Sequence, residues 1–215
     1  MHEKAALLAS YIKSLSDFTM AAPETVDGNY DHMGATITDA ILQAGIAYQT
    51  VVEPRVQDLR DRHPEARTTS GFRRLLEQQS PATLLRFSGK KPQLVLEVAR
   101  FFESQGIQTE SDLRTWLQEP SHIDRLKQLK GIGDKTADYF GILVGIQGVA
   151  IDVHLSRFLE EAGPGQCTYN EAKQIVSLAA DMLGVPRAVL DHSIWLYMSN
   201  RRKSGKSQQE RQLKR

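Results

Sequence analysis

The chain has 215 residues, of which 40% are hydrophobic, so it can form one large domain or two small ones around a substantial core. Its formal net charge is only +1, and its one cysteine, Cys167, excludes an internal disulfide. The longest mostly apolar stretch, residues 139–151, is shorter than the roughly 18 residues of a membrane span, and the N-terminus has no long apolar signal core. We expect a cytoplasmic protein that does not cross a membrane.

Apolar residues recur at helical spacing along most of the chain, whereas the alternation typical of strands is nearly absent. A first helix is predicted from about residue 3 to residue 18, and a turn-rich segment follows at 21–34. A long helical pattern begins near residue 35 and is interrupted at Glu53-Pro54, because proline pushes the residue before it out of the α region. These patterns predict an all-α protein.

The most specific pattern lies at residues 129–137, LKGIGDKTA. Glycines at 131 and 133 allow a tight turn between two helices, since they lack a Cβ. The amides at the start of the second helix form a cradle for a phosphate group. The sequence therefore predicts a helix-hairpin-helix, which holds a nucleic-acid backbone without reading bases. The predicted backbone-binding residues are Lys130, Gly131, Ile132, Gly133 and Thr136.

Two ionisable residues accompany this hairpin. Lys135 lies in the first turn after it, and Asp152 follows 17 positions later at the predicted start of another helix. A helix over 134–146 is about 18 Å long, and an extended connection over 147–152 spans about 20 Å, so the chain can return Asp152 to Lys135. An amine facing a carboxylate beside a phosphate cradle favours nucleophilic chemistry on a nucleotide. The simpler interpretation is a solvated lysine and an aspartate that only caps a helix.

Two segments of the chain resemble the endonuclease III-type superfamily of DNA glycosylases: LKGIGDKTA at 129–137 and AIDVHLSRF at 150–158. The signature of that superfamily is a helix-hairpin-helix, a Gly/Pro-rich connection and an aspartate. Weaker similarity extends to 37–56, to 90–102 and to the helix around Trp195.

The resemblance covers about residues 34–200 and implies two helical domains. Residues 34–150 would form a six-helix barrel that carries the hairpin. Residues 1–33 and 151–215 would form the second domain, with the hairpin and the active cleft at the junction.

The resemblance also implies an activity. Lys135 falls at the position of the superfamily's Schiff-base lysine and Asp152 at that of its catalytic aspartate. We therefore expect a monomeric base-excision repair enzyme, a DNA glycosylase with AP lyase activity, acting on double-stranded DNA with a damaged, mismatched or abasic site. The target nucleotide would flip out of the stack, Lys135 would attack C1′, and Asp152 would stabilise the positive charge that develops on the sugar.

No metal or organic cofactor is expected. Many relatives carry an iron–sulfur cluster on four cysteines near the C-terminus, and a chain with Cys167 alone cannot hold one. A monovalent cation at the hairpin carbonyls is the one ion that the resemblance implies.

The sequence does not identify which damaged or mismatched base is removed. Gly45 aligns with the residue, often glutamine, that fills the gap left by a flipped base in the superfamily, and glycine cannot do so. Gln43 and Tyr48 are the predicted base-pocket residues.

Two other functions stay open as well. A monofunctional glycosylase would use Asp152 to activate water and Lys135 to hold phosphate. A DNA-binding protein without catalysis would keep only the hairpin.

The charge distribution bears on whether and where the protein binds DNA. Residues 201–215 hold seven basic residues and one acidic residue, net +6, whereas residues 1–200 hold 20 basic and 25 acidic residues, net −5. The tail is expected to add nonspecific attraction to phosphate. In the body, positive charge must be concentrated locally, and the candidates are Arg73-Arg74, Lys90-Lys91 and Lys127, Lys130 and Lys135.

Overall fold

The computed structural model describes residues 1–26 and 28–212, and the side chains of residues 1–26 and 28–201. Within these ranges every regular element is helical, so the predicted all-α fold is confirmed. The α-helices there are α1 (His2–Ser14), α2 (Met33–Leu42), α3 (Glu53–Arg62), α4 (Thr69–Gln79), α5 (Pro81–Leu84), α6 (Lys91–Ser104), α7 (Glu110–Trp116), α8 (Pro120–Lys127), α9 (Asp134–Leu143), α10 (Val153–Glu161), α11 (Tyr169–Leu183) and α12 (Arg187–Gln212). None of the described helices is long and apolar enough to cross a membrane.

The chain divides into two compact units, the larger unit (Asp27–Ile146) and the smaller unit (Met1–Val26 with Gln147–Arg215). The resemblance implies domain boundaries after residues 33 and 150, whereas the boundaries between the two units follow residues 26 and 146. Helices α2 to α9 belong to the larger unit, so eight of the described α-helices lie where the resemblance implies six.

Helix α2 is the central element of the larger unit, because all ten of its residues are buried. It packs against α3, α6 and α9. The core around it is aromatic as well as aliphatic, and the ring of Phe102 on α6 meets the ring of Phe140 on α9 edge-on at 5.3 Å between centroids. Polar groups at the end of α2 are therefore held by a helix that has little freedom to move.

The long helix predicted from residue 35 to the proline at 54 is wrong. Helix α2 ends at Leu42, and the chain then turns through Gly45, whose φ of +72° favours glycine. A π-helical turn at Tyr48–Val52 leads into α3. Pro54 lies in the first turn of α3, where its missing N–H would have no helical partner. The glycine turn, rather than the proline, breaks the helical pattern.

The smaller unit has a separate core centred on Phe158 of α10. The ring of Tyr11 on α1 contacts Phe158 at 5.4 Å, and the ring of Tyr197 on α12 contacts it at 5.8 Å. Helix α12 continues through Gln212, and residues 213–215 lie outside the described residues.

Candidate functional site

The turn between α8 and α9 is fixed by its own hydrogen bonds and by one buried side chain. The amide of Ile132 donates to the carbonyl of Leu129 at 3.0 Å, and the Ile132 side chain is 5% exposed within the core. Gly131 has φ +106°, and a Cβ there would lie 2.9 Å from Leu94 Cδ2. Glycine is therefore required at this position by its backbone conformation, and a Cβ would also displace the end of the Leu94 side chain.

Not every predicted backbone-binding residue is available to a ligand. The Ile132 amide is already bonded within the turn, and Thr136 is only 8% exposed. The amides of Gly131 and Gly133, by contrast, donate to no group among the described residues, and both glycines are exposed. Lys130 is exposed and forms no ion pair within the same part of the chain. The exposed donors of the turn are therefore Lys130 and the two glycine amides.

Lys127 connects the two ends of the turn. Its ammonium group lies 2.8 Å from the carboxylate of Asp134 on α9 and 3.3 Å from that of Asp124 on α8. The hydrogen bonds to Asp134 and then Asp124 raise the pKa of Lys127 above its ordinary value. This lysine therefore stabilises the turn through internal pairs. Arg73 is likewise paired, at 2.5 Å with both Glu103 and Glu77.

Lys135 does not extend into solvent as Lys130 does. Its side chain is half-buried, and Nζ donates to Oε1 of Gln43 at 2.5 Å. The same nitrogen lies 5.0 Å from the centroid of the Tyr139 ring, within the range of a cation–π contact. The structure thus brings the predicted nucleophile together with one predicted base-pocket residue, Gln43, which is 92 positions away in the chain. Gln43 Nε2 is buried and has no hydrogen-bond partner among the described residues.

A buried carboxylate lies next to this pair. Asp39 on α2 is fully buried, and its Oδ2 accepts hydrogen bonds from the hydroxyls of Tyr30 at 2.6 Å and Tyr48 at 3.1 Å. Its Oδ1 accepts from Tyr139 at 3.4 Å. Hydrogen bonds of this kind offset the large cost of burying a carboxylate. We call these four residues the Asp39 cluster, and Tyr139 connects it to Lys135.

Lys91 on α6 reaches the same end of α2. Its Nζ donates to the carbonyls of Leu42 at 2.6 Å and Ala44 at 2.5 Å. A cation at the carbonyl end of a helix is favoured by the helix dipole. Burial, and after it repulsion by Lys135, lowers the pKa of Lys91. Two amines therefore converge on residues 42–44.

Sequence reasoning missed Asp39 and Lys91 as members of this arrangement. The pattern that could have indicated Asp39 is a carboxylate in the middle of an otherwise apolar helix, four residues before Gln43 and so on the same helical face. For Lys91 no pattern in the sequence points to the carbonyls at residues 42 and 44.

In the smaller unit, Asp152 is the N-cap of α10, as predicted. Its Oδ1 accepts from the amides of His154 at 2.8 Å and Leu155 at 3.0 Å. Its second carboxylate oxygen has no hydrogen-bond partner among the described residues, and the side chain is partly exposed. Asp191 accepts from the amide of Ala150 at 2.6 Å and so fixes the chain just before the cap.

Asp191 and His192 are adjacent in sequence, but their side chains contact different partners. While Asp191 holds the Ala150 amide, the ring of His192 stacks on Trp195 at 6.0 Å, and burial lowers the pKa of His192. His154 meets the same indole edge-on at 6.4 Å.

Comparison with known proteins gives a family but no activity. Residues 8–199 match a family model described as "Domain of unknown function (DUF8548)". No curated protein matches the chain. Among the described residues, no three His, Cys, Asp or Glu side chains are grouped closely enough to hold a metal ion.

Proposed function

The chain belongs to this family, whose description carries no function, and we propose that it is a DNA glycosylase with associated AP lyase activity. The observation that carries the proposal is the placement of Lys135. An amine in the first turn after an exposed glycine turn is half-buried against Gln43 and Tyr139 instead of being solvated. Desolvation of this kind favours the neutral amine, which is the nucleophilic form.

The proposed substrate is double-stranded DNA with a damaged, mismatched or abasic nucleotide. The exposed amides of Gly131 and Gly133, with the Lys130 ammonium, would hold the phosphate backbone. The target nucleotide rotates out of the stack, because C1′ is unreachable inside the duplex. Gln43 and Tyr48 would face the extruded base.

The reaction has two covalent stages. The lone pair of Lys135 Nζ forms a bond to C1′ while the glycosidic bond breaks and its electron pair leaves with the base, which takes up a proton. The nitrogen then releases a proton, and its lone pair opens the sugar ring: the bond between C1′ and O4′ breaks, O4′ takes up a proton and a protonated imine remains. Loss of a proton from C2′ then breaks the bond between C3′ and its oxygen, which cuts the strand 3′ to the lesion, and water releases the enzyme.

We assign Asp152 the role of stabilising the positive charge that develops on the sugar. Its two capping bonds occupy one carboxylate oxygen and fix the orientation of the group. The second oxygen has no partner among the described residues and is available for this role or for accepting a proton.

Borohydride trapping tests the proposal directly. An imine between a lysine and C1′ is reduced to a stable link, so the wild-type protein should become covalently attached to a duplex with an abasic site. Lys135→Gln should bind that duplex but form no covalent complex, because glutamine preserves length and polarity without a nucleophilic amine. Lys130→Gln is the matched control, since it removes an exposed lysine of the same turn and should lower affinity while trapping persists.

The possible results separate the three functions. Trapping that survives Lys135→Gln would mean that another amine reacts. Base release without trapping or nicking would favour the monofunctional enzyme, in which Asp152 activates water. Binding with no base release from a panel of lesion-bearing duplexes would leave a non-catalytic DNA-binding protein.

A further inference from the structure

Two lysines approach residues 42–44 from two different helices. Lys91 on α6 donates to the backbone carbonyls of Leu42 and Ala44, at 2.6 and 2.5 Å. Lys135 on α9 donates to the side chain of the residue between them, Gln43, at 2.5 Å. The two ammonium groups are thus fixed on adjacent acceptors, by short hydrogen bonds that limit the freedom of either to move away.

The charge of Lys91 is not neutralised by a carboxylate. Its acceptors are uncharged carbonyl oxygens, and it forms no ion pair among the described residues. By contrast, Lys127 on α8 is paired with Asp134 and Asp124. An unpaired, partly buried ammonium group interacts with its neighbours more strongly than a solvated one, because less water screens it.

We propose that Lys91 is a positioning residue for the imine chemistry, which keeps the Lys135 amine in its neutral form by placing a fixed positive charge beside it. The inference rests on the proposed function of Lys135. A cation near an amine disfavours protonation of that amine, and only the unprotonated amine has the lone pair that attacks C1′. The chemistry of Lys135 thus depends on a residue that does not touch the substrate.

Other groups of the larger unit act on Lys135 in the opposite direction. The Gln43 oxygen accepts from its ammonium form, and the face of the Tyr139 ring attracts a cation. The Asp39 carboxylate, one hydrogen bond beyond Tyr139, adds negative charge. The titratable groups nearby are Lys91 (α6), Asp39 (α2), Tyr139 and Asp138 (α9), Tyr30 and Tyr48 around Asp39, and Lys127 paired with Asp134. Lys91 is the one cation among them that no carboxylate in the described residues neutralises.

The test is the pH dependence of single-turnover borohydride trapping on an abasic duplex between pH 6 and 9. Removing the charge with Lys91→Gln should raise the pKa of the reacting amine, so the midpoint of the profile moves to higher pH by about one unit, and the rate below the midpoint falls about tenfold. Above the midpoint the rates should converge, because both amines are then neutral. Lys91→Arg keeps the charge and should keep the wild-type midpoint. Lys90→Gln, the same exchange at the exposed preceding residue, is the matched control; any loss of DNA affinity is removed by saturating protein, and the midpoint should stay unchanged.

A purely structural role for Lys91 predicts something else. Losing the two carbonyl contacts would lower the rate by the same factor at every pH, and Lys91→Gln with an unshifted midpoint overturns the inference. If the wild-type protein traps no DNA at all, the proposed function fails. The effect of Lys91 on Lys135 is then measured by NMR pH titration of the Lys135 side chain. Its signal is assigned as the one that is missing from the spectrum of Lys135→Gln. An upward shift of its pKa in Lys91→Gln supports the inference, and an unchanged pKa contradicts it.

Discussion

The exchange Gln43→Glu converts the hydrogen bond between Gln43 and Lys135 into an ion pair. Glutamate has nearly the shape of glutamine, so the carboxylate would stand where the amide oxygen now accepts from Nζ at 2.5 Å. The exchange also removes Nε2, which is buried without a hydrogen-bond partner among the described residues, and buried unsatisfied donors are costly. The variant is therefore expected to fold at least as well as the wild type at neutral pH.

The expected magnitude follows from this geometry. A carboxylate within hydrogen-bond distance favours the ammonium form of a lysine by about one to three pKa units, and each unit is a tenfold change in the neutral fraction below the midpoint. At neutral pH, Gln43→Glu should therefore trap abasic DNA about 10- to 1000-fold more slowly than the wild type. The loss should diminish as the pH rises, because the Lys135 proton is eventually removed from the pair as well.

Single-turnover trapping between pH 6 and 9 measures this effect. Gln43→Leu is the control, since it removes the oxygen acceptor without adding charge and should leave the midpoint unchanged or move it to lower pH. Of the two variants at this position, only Gln43→Glu is therefore expected to move the midpoint to higher pH. If folded Gln43→Glu protein traps abasic DNA at the wild-type rate at neutral pH, the assignment of Lys135 as the reacting amine held by Gln43 is refuted.

Two further predictions concern the smaller unit. Asp152→Asn should keep the helix cap and DNA affinity but lose most base excision. Asp152→Ala should in addition lower the free energy of unfolding by about 1 kcal/mol, measured by urea denaturation. If folded Asp152→Asn excises bases at the wild-type rate, Asp152 serves only as a helix cap. Deletion of residues 202–215, which hold six basic residues and one acidic residue, should weaken binding to undamaged DNA and flatten its salt dependence, while trapping at saturating protein persists. This truncation spares Arg201, which pairs with Glu161 at 2.6 Å, and identical binding across the salt range would show that the tail does not contact DNA.

Features of the chain that depend on local chemistry could be predicted from the sequence. The start of α9 after the glycine turn and the capping role of Asp152 both follow from neighbouring residues, since glycine spacing and an aspartate before an apolar helix act within one turn. The break after α2 could not be predicted as well. Helical spacing continues through residues 43–47, and only the turn at Gly45 shows where the helix stops.

The surroundings of Lys135 depend on contacts that no local pattern encodes. Gln43 is 92 positions from Lys135, and Lys91 is 49 positions from the Leu42 carbonyl that it binds. These groups meet because a fully buried α2 presents its carbonyl end to both α6 and α9. The same burial explains Asp39, which a sequence pattern treats as one polar residue in an apolar helix but which three tyrosine hydroxyls satisfy.

The direction of the Lys135 side chain bears on the choice between the two glycosylase mechanisms. A lysine that only holds phosphate gains most from remaining solvated, as the exposed Lys130 does in the same turn. Lys135 is instead half-buried, with contacts that include an amide oxygen and an aromatic face, and a second ammonium group nearby opposes its charge. These contacts hold the nitrogen in place, and the role proposed for Lys91 is to make its proton easier to lose. A fixed amine that releases its proton readily is suited to forming a bond to carbon, whereas a phosphate contact requires that the proton stay on. The surroundings of Lys135 therefore favour the bifunctional mechanism over the one in which this lysine only grips the backbone.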